Sequence, residues 1–251
     1  FCTNEPDPIP IIIGDSVGVF SELISNPAGL VFDSITGIID LDSSALGTYQ
    51  ILYTLDSISI CPSDSITVSI IDIPDASFNY PQILYCRGGT PPVPIVTGTP
   101  GGIFSSTTGA IVNPFSGVVD LAASSIGQHI IYYDIIGGSC TAQDSFIIDI
   151  TELVSFEATA SKLFICPERL DTIQLGVNVI YNGTPPVGPT YLWSPNSNIS
   201  NINIQNPEIY VLTAQDYDVI YDDGICPISF DTIDIEAPYP VDVTVSSDVV
   251  L

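Results

Sequence analysis

Six cysteines, a single histidine and a recurring Asp-Ser or Asp-Thr pair are the residues of this chain that could do chemistry. Cys2, Cys61, Cys86, Cys140, Cys166 and Cys226 are separated by 59, 25, 54, 26 and 60 residues. This alternation of long and short gaps predicts one disulfide in each of three units: Cys2–Cys61, Cys86–Cys140 and Cys166–Cys226. Each bond would close a loop worth on the order of 4 kcal/mol by chain entropy. Such bonds persist in an oxidising compartment, so an extracellular protein is expected. No Cys-x-x-Cys spacing occurs and His129 has no second histidine to join it, which argues against a zinc site.

Acidic residues number 29 against 3 basic ones, for a formal net charge of −26. Acyl or phosphoryl chemistry needs a nucleophile, a base and an orienting group. Here only carboxylates are plentiful, and they are scattered one or two to a turn or strand, so no enzyme is expected. His129 lies beside Tyr132 and Tyr133 in an alternating segment and reads as a half-buried sheet residue. Asp216, Asp218, Asp222 and Asp223 carry the right oxygens for calcium. No Asp-x-Asp-x-Asp-Gly loop contains them, so a solvated loop is preferred and no cofactor is expected. Trp193, two residues after Tyr191, reads as core between two sheets rather than as a sugar platform. Lys–Asn isopeptide cross-links are excluded from the first two units, which contain no lysine. The cations are Arg87, Lys162 and Arg169 alone, too few to meet a phosphate backbone, so nucleic-acid binding is not expected. No apolar run reaches the roughly 20 residues of a membrane-spanning helix.

The elements that must position these residues are strands. The chain is 45% hydrophobic, chiefly Ile, Val, Leu, Tyr and Phe, with 19 glycines and 21 prolines as punctuation. That composition excludes acidic disorder and suits a pleated surface. Alternation predicts strands over Gln50–Thr54, Ile66–Ile71, His129–Tyr133 and Phe146–Ile150. A repeat sets the larger organisation: Gly37-Ile-Ile-Asp-Leu through Gly47-Thr-Tyr-Gln-Ile-Leu-Tyr53 returns eighty positions later as Gly117-Val-Val-Asp-Leu through Gly127-Gln-His-Ile-Ile-Tyr-Tyr133. Gly18-Val-Phe20 likewise matches Gly102-Ile-Phe104. A third, diverged unit ends on the same cadence of a cysteine, an Asp-Ser or Asp-Thr and a strand. The expected division is 1–74, 75–151 and 152–239 for three Ig-like units, with 240–251 as an opening strand for a further unit. The fold class is therefore all-β, tandem immunoglobulin-like β-sandwich domains, and joints without linkers favour an extended rod.

Units two and three open with a strand leading into their first cysteine, over 76–86 and 154–166. Unit one has almost none before Cys2. An orphan alternating segment lies at the opposite end, with Val241, Val243, Val245, Val249, Val250 and Leu251. Joining Leu251 to Phe1 makes Val241 twelve residues from the next cysteine, the spacing of Val154 to Cys166. The chain thus reads as one period of an array in which this strand completes unit one of the next copy. The partners expected are further copies of itself, head to tail, with the copies joined either as one polypeptide, which the preserved spacing favours, or by strand donation.

The pattern Gly-x-Phe, Thr36-Gly-Ile-Ile-Asp-Leu, Gly47-Thr-Tyr-x-Ile-x-Tyr, then Cys and Asp-Ser, resembles the extracellular repeats of Bacteroidota surface proteins, including gliding-motility adhesins and other type IX-secreted giants. It spans units one and two. Unit three is similar to a PKD-type domain through Tyr191-Leu-Trp-Ser-Pro195, Ile202-Asn-Ile-Gln-Asn-Pro207 and Tyr217-Asp-Val-Ile-Tyr221. The resemblance implies a structural segment of a bacterial cell-surface filament or giant adhesin. A glycan- or protein-binding adhesin module and an accessory train of a secreted enzyme are the alternatives. The triplets starting at Asp15, Asp33, Asp56, Asp64, Asp171 and Asp231 are similar to the O-glycosylation sequon of secreted Bacteroidota proteins, which would place sugars on Ser16, Ser34, Ser57, Ser65, Thr172 or Thr232. The same pairs also make good turns and strand starts without any sugar.

Overall fold

Every second residue of 47–51 and of 129–133 points inward, so Tyr49 and Ile51, and His129, Ile131 and Tyr133, are buried while their neighbours are less so. That period of two is what a strand with one buried face requires, and it recurs along the chain. The computed structural model describes all residues except 15–16, 24, 56–62, 108, 137, 167–169 and 238–251. Three hydrophobic clusters follow one another along the described residues.

Unit one holds β1 (Val19–Glu22), β2 (Gly47–Thr54) and β3 (Ser63–Ile70), an antiparallel sheet in that order. Unit two holds β4 (Phe78–Asn79), β5 (Leu84–Cys86), β6 (Ile95–Val96), β7 (Ile103–Ser106), β8 (Gly127–Ile136) and the first part of β9 (Thr141–Ala160). Its larger sheet runs β7-β8-β9 with β5 parallel to β9, and β4 pairs with β6 in a second sheet. Unit three adds β10 (Asp171–Asn182), β11 (Thr190–Ser194), β12 (Glu208–Val211), β13 (Gln215–Asp222) and β14 (Ser229–Ile235). There β9-β10-β12 form one sheet and β11-β13-β14 the other. The first, second and fourth strands thus face the third, fifth and sixth, which is the strand division of an immunoglobulin-type sandwich.

The four strands expected from alternation lie in β2, β3, β8 and β9, with Ile71 one residue beyond β3. The opening strands differ from expectation. In unit two the run 76–86 is split into β4 and β5, which belong to different sheets, with Pro81 between them. Proline gives no ladder donor, so it suits a place where the chain leaves one sheet for the other. At the third unit β9 runs unbroken for 20 residues, pairing with β8 as far as Ile150 and with β10 from Glu152 onward.

The repeated motif is a scaffold for these turns. Asp33 Oδ1 accepts the amides of Ile35 and Thr36 at 2.7 and 2.9 Å, and Asn113 does the same for Phe115 and Ser116. The next residue of the turn must be glycine. Gly37 and Gly117 sit at φ of +73° and +70°, and a Cβ there would fall 2.6 Å from Phe20 or 2.4 Å from Pro94. Further along, Tyr49 donates its hydroxyl to the Ala45 carbonyl at 2.7 Å. His129, at the same position of unit two, is buried with Nε2 2.9 Å from the Ser125 carbonyl. The histidine stands in for the corner tyrosine of an immunoglobulin-type sandwich.

Candidate functional site: an open face and the cross-joint cysteines

The disulfides do not staple single units. Cys2 bonds to Cys140 and Cys86 to Cys226, with Cα separations of 5.7 and 4.9 Å. Cys166 is a free, exposed thiol, and Cys61 lies outside the described residues. The expected pairings Cys86–Cys140 and Cys166–Cys226 are therefore replaced, and Cys2 is taken from Cys61. The ladder explains why. Cys86 pairs with Thr151 at one end of unit two, while Cys140 precedes Thr141 at the other. Ten residues of strand at about 3.3 Å each put them roughly 33 Å apart, far beyond the reach of a disulfide. The cysteine that opens a unit instead sits at its exit end, against the next unit's hairpin. Cys140 lies in the β8–β9 hairpin and Cys226 between β13 and β14.

Side chains support both features of the second joint. Arg87 pairs with Glu152 at 3.4 Å and donates to the Ser124 carbonyl at 2.7 Å. Thr184 donates to Asp149 at 2.7 Å, and Thr151 to the Asn182 carbonyl at 3.2 Å. Asp223 accepts the amides of Ile225 and Cys226 at 2.8 and 2.6 Å, which holds the hairpin that presents Cys226. The Tyr181 hydroxyl donates to the other oxygen of Asp223. Burial, with that carboxylate beside it, pushes the Tyr181 phenol well above its ordinary value.

Unit one has an open face. The positions of its core match those of unit two: Phe20, Ile39, Leu41, Ile51, Val68 and Ile70 stand for Phe104, Val119, Leu121, Ile131, Ile148 and Ile150. Beyond these, unit two buries Ala76, Phe78, Tyr80, Tyr85, Ala110 and Tyr133, the first three of them from its opening segment. Phe78 packs against Phe104, Tyr133 and Phe146 with ring centroids 5.4, 5.8 and 6.4 Å away, and β4 pairs with β6. The equivalents in unit one are Phe20, Tyr53, Ile66, and Ile11–Ile12 for β6. These residues line a groove of about 320 Å³. Among the described residues no strand like β4 lies beside Ile11–Ile12, which form no strand, and Ile11 is 89% exposed. Tyr53 is half-buried where Tyr133 is 2% exposed. The groove is the seat that Phe78 fills in unit two. The strand expected to fill it, with Val241, Val243, Val245, Val249, Val250 and Leu251, lies outside the described residues.

The other candidate residues are dispersed. Asp216, Asp218 and Asp222 point outward along β13, whereas Asp223 is buried beyond its end and occupied by amide donors. Asp222 is itself bonded to the Gly224 amide. Among the described residues no three metal-ligating side chains converge, these four aspartates included. Ser34, Ser65, Thr172 and Thr232 are exposed, and Ser16 and Ser57 lie outside the described residues. At Ser65, Thr172 and Thr232 the preceding aspartate accepts the residue's own amide at 2.8 to 3.0 Å. The Asp-Ser/Thr pair thus has a structural use at residues that are themselves exposed. Trp193 is core, with Nε1 donating to the Ile204 carbonyl at 2.9 Å.

No protein-family model matches the chain, and no curated protein matches its sequence. Several solved structures of tandem immunoglobulin domains are similar in outline. Domains 3–5 of the Drosophila OTK extracellular region align over 84% of this chain and 78% of theirs, at 11% identity and a TM-score of 0.39. An I-band fragment of titin aligns over 88% of each chain at 10% identity and a TM-score of 0.39. The eight N-terminal Ig domains of Down syndrome cell adhesion molecule align over 89% of this chain and 33% of theirs, at 10% identity and a TM-score of 0.48. The chain is an all-β tandem of Ig-like units, as its own sheet order shows.

Proposed function

We propose that this chain is a structural segment of an extracellular filament or giant adhesin, built head to tail from Ig-like units stapled across their joints. The observation that carries this reading is the open groove of unit one. It is lined by the equivalents of the residues that hold Phe78, beside β3, an edge that no further strand pairs among the described residues; such an exposed apolar seat is a feature that natural sheets otherwise cover. Its occupant is an alternating apolar strand placed before the unit, and Val241–Leu251 of a preceding copy has that pattern. Cross-joint disulfides add support, since they resist bending and belong to an oxidising compartment. The sequence likeness to Bacteroidota surface repeats supports reading it as a filament of a bacterial cell surface, with type IX secretion and gliding among the settings that reading suits. Sugars on the exposed Ser and Thr residues of the Asp-Ser/Thr pairs are part of the same reading. They would raise the intact mass of native material above the 26.7 kDa of the bare chain, and a bare mass would remove them from it.

The test is a protein of two full copies joined from Leu251 to Phe1. Amide hydrogen exchange in β2 and β3 of the second copy should be slowed relative to the first copy, whose groove has no donor. Equal exchange in both copies, with residues 241–251 at the join open to protease, would overturn the proposal. Boiling native material in reductant and detergent then separates the modes of joining: a ladder or very large band means a continuous chain, a band near one period means strand-donating subunits.

A further inference from the structure

Two of the three opening cysteines are bonded one unit ahead, and the third has no bond. Cys2 pairs in parallel with Ile71 at the exit of unit one and bonds to the β8–β9 hairpin of unit two. Cys86 pairs with Thr151 at the exit of unit two and bonds to the β13–β14 hairpin of unit three. In unit three Phe164 pairs in parallel with Glu236, Ile165 donates to the Glu236 carbonyl at 3.0 Å, and Cys166 follows, exposed. It stands at the exit end of its unit, as the two bonded cysteines do. The fold therefore presents this thiol to whatever hairpin comes next.

We propose that Cys166 forms a disulfide with Cys61 of the copy that follows. The proposal rests on the head-to-tail reading and adds to it a covalent bond across the join between copies. Cys61 falls in sequence between β2 and β3, the place that Cys140 holds between β8 and β9, so its role is assigned from sequence position alone. It is also the cysteine left over once the other four are bonded. With copies joined end to end the two would be 146 residues apart, against 138 and 140 for the bonds already present. Every joint of the array would then carry the same bond, from the exit of one unit to the hairpin of the next. Two thiols lose two protons and two electrons in forming it. The oxidant is a disulfide, small-molecule or protein, which takes them and leaves as two thiols.

The two-copy protein, oxidised with glutathione disulfide, tests this by counting. Unpaired, Cys61 and Cys166 of both copies give four thiols in denaturant; the proposed bond leaves two. Digestion at aspartates without reductant should release one linked peptide pair containing Cys166 and Cys61. Cys166→Ser in the first copy alone should abolish that pair, and the same change in the second copy alone should leave it. Four thiols, or a linked pair that survives the change in the first copy, overturns the proposal. The head-to-tail reading is judged separately, by hydrogen exchange in β2 and β3. Slowed exchange with four thiols would leave the filament standing and remove the staple.

Discussion

Asp216 and Asp234 face each other across the β13–β14 ladder, two acids at directly opposed positions with no cation between them in the register. The hydrogen bond that the protonated Asp216 carboxyl donates to the Asp234 carboxylate, then the Asp234 charge, raises Asp216 above its ordinary value of 3.8. Elsewhere carboxylates are held by donors. Asp33 is lowered by the Thr36 amide first, Asp40 by the Ser43 side chain, and Asp75 by the Ser77 side chain. The signs oppose one another. A raised folded value contributes stability at low pH that is lost as pH climbs from about 3.8 through that value. The lowered values contribute stability above 3.8 that is lost as pH falls through them. The −26 net charge pushes in the direction of Asp216, since self-repulsion relaxes on acidification. Denaturant unfolding followed against pH should therefore show stability increasing as pH drops from 7 towards the ordinary carboxylate range, then falling below it. Asp234→Asn should flatten the first part of that curve and leave the acid limb unchanged. An unaltered rise in the variant would mean that the opposed pair contributes nothing.

Among elements, the alternating strands were legible and their pairings were not. β2 and β8 stand out in sequence because their apolar residues recur at every second position and because eighty positions relate them. β4 and β6 are two residues each and carry no period at all. They exist because Phe78 and Val96 pack beside Phe104 and Tyr133, a tertiary cause that no local window contains. The cysteine gaps of 59 and 54 residues fitted bonds within units, and gaps of 138 and 140 fitted bonds between them. Spacing alone has no means of choosing, whereas the ten-residue length of the β8–β9 ladder does. The groove of unit one was visible in sequence only as a missing strand; its lining needed the register. If that seat explains the difference between the two units, emptying it in unit two should reproduce unit one. Phe78→Ala removes a buried aromatic side chain and should cost about 3–5 kcal/mol. Tyr133 should then become accessible to the degree that Tyr53 is, readable by tyrosine nitration. A loss below about 1 kcal/mol would show that unit two does not depend on this strand, and would weaken the case that unit one lacks one.

At the scale of the whole molecule, stiffness is decided at the joints, and the two joints are built unequally. Each is crossed twice, once by the chain and once by a disulfide, and two separated crossings resist a hinge that one would permit. At the second joint the chain crossing is itself a strand: β9 runs on from its β8 ladder, which ends at Ile150, into its β10 ladder, which begins at Glu152. Arg87, Glu152, Thr184 and Asp149 add polar contacts beside it. At the first joint the chain leaves β3 at Ile70 and does not enter β4 until Phe78. The hydrogen bonds beside it stay within single units: Thr3 donates to Asp72 at 3.3 Å in unit one, and Thr99 accepts the Asp75 amide at 3.2 Å in unit two. The Cys2–Cys140 bond therefore carries more of the first joint's rigidity than Cys86–Cys226 carries of the second's. Small-angle scattering of the whole chain should show this after paired replacement by serine. Cys2→Ser with Cys140→Ser should broaden the distance distribution clearly, while Cys86→Ser with Cys226→Ser should change it little, because β9 still spans the joint. Equal broadening in the two variants would mean that the continuous strand does not stiffen the chain, and broadening only in the second would reverse the assignment.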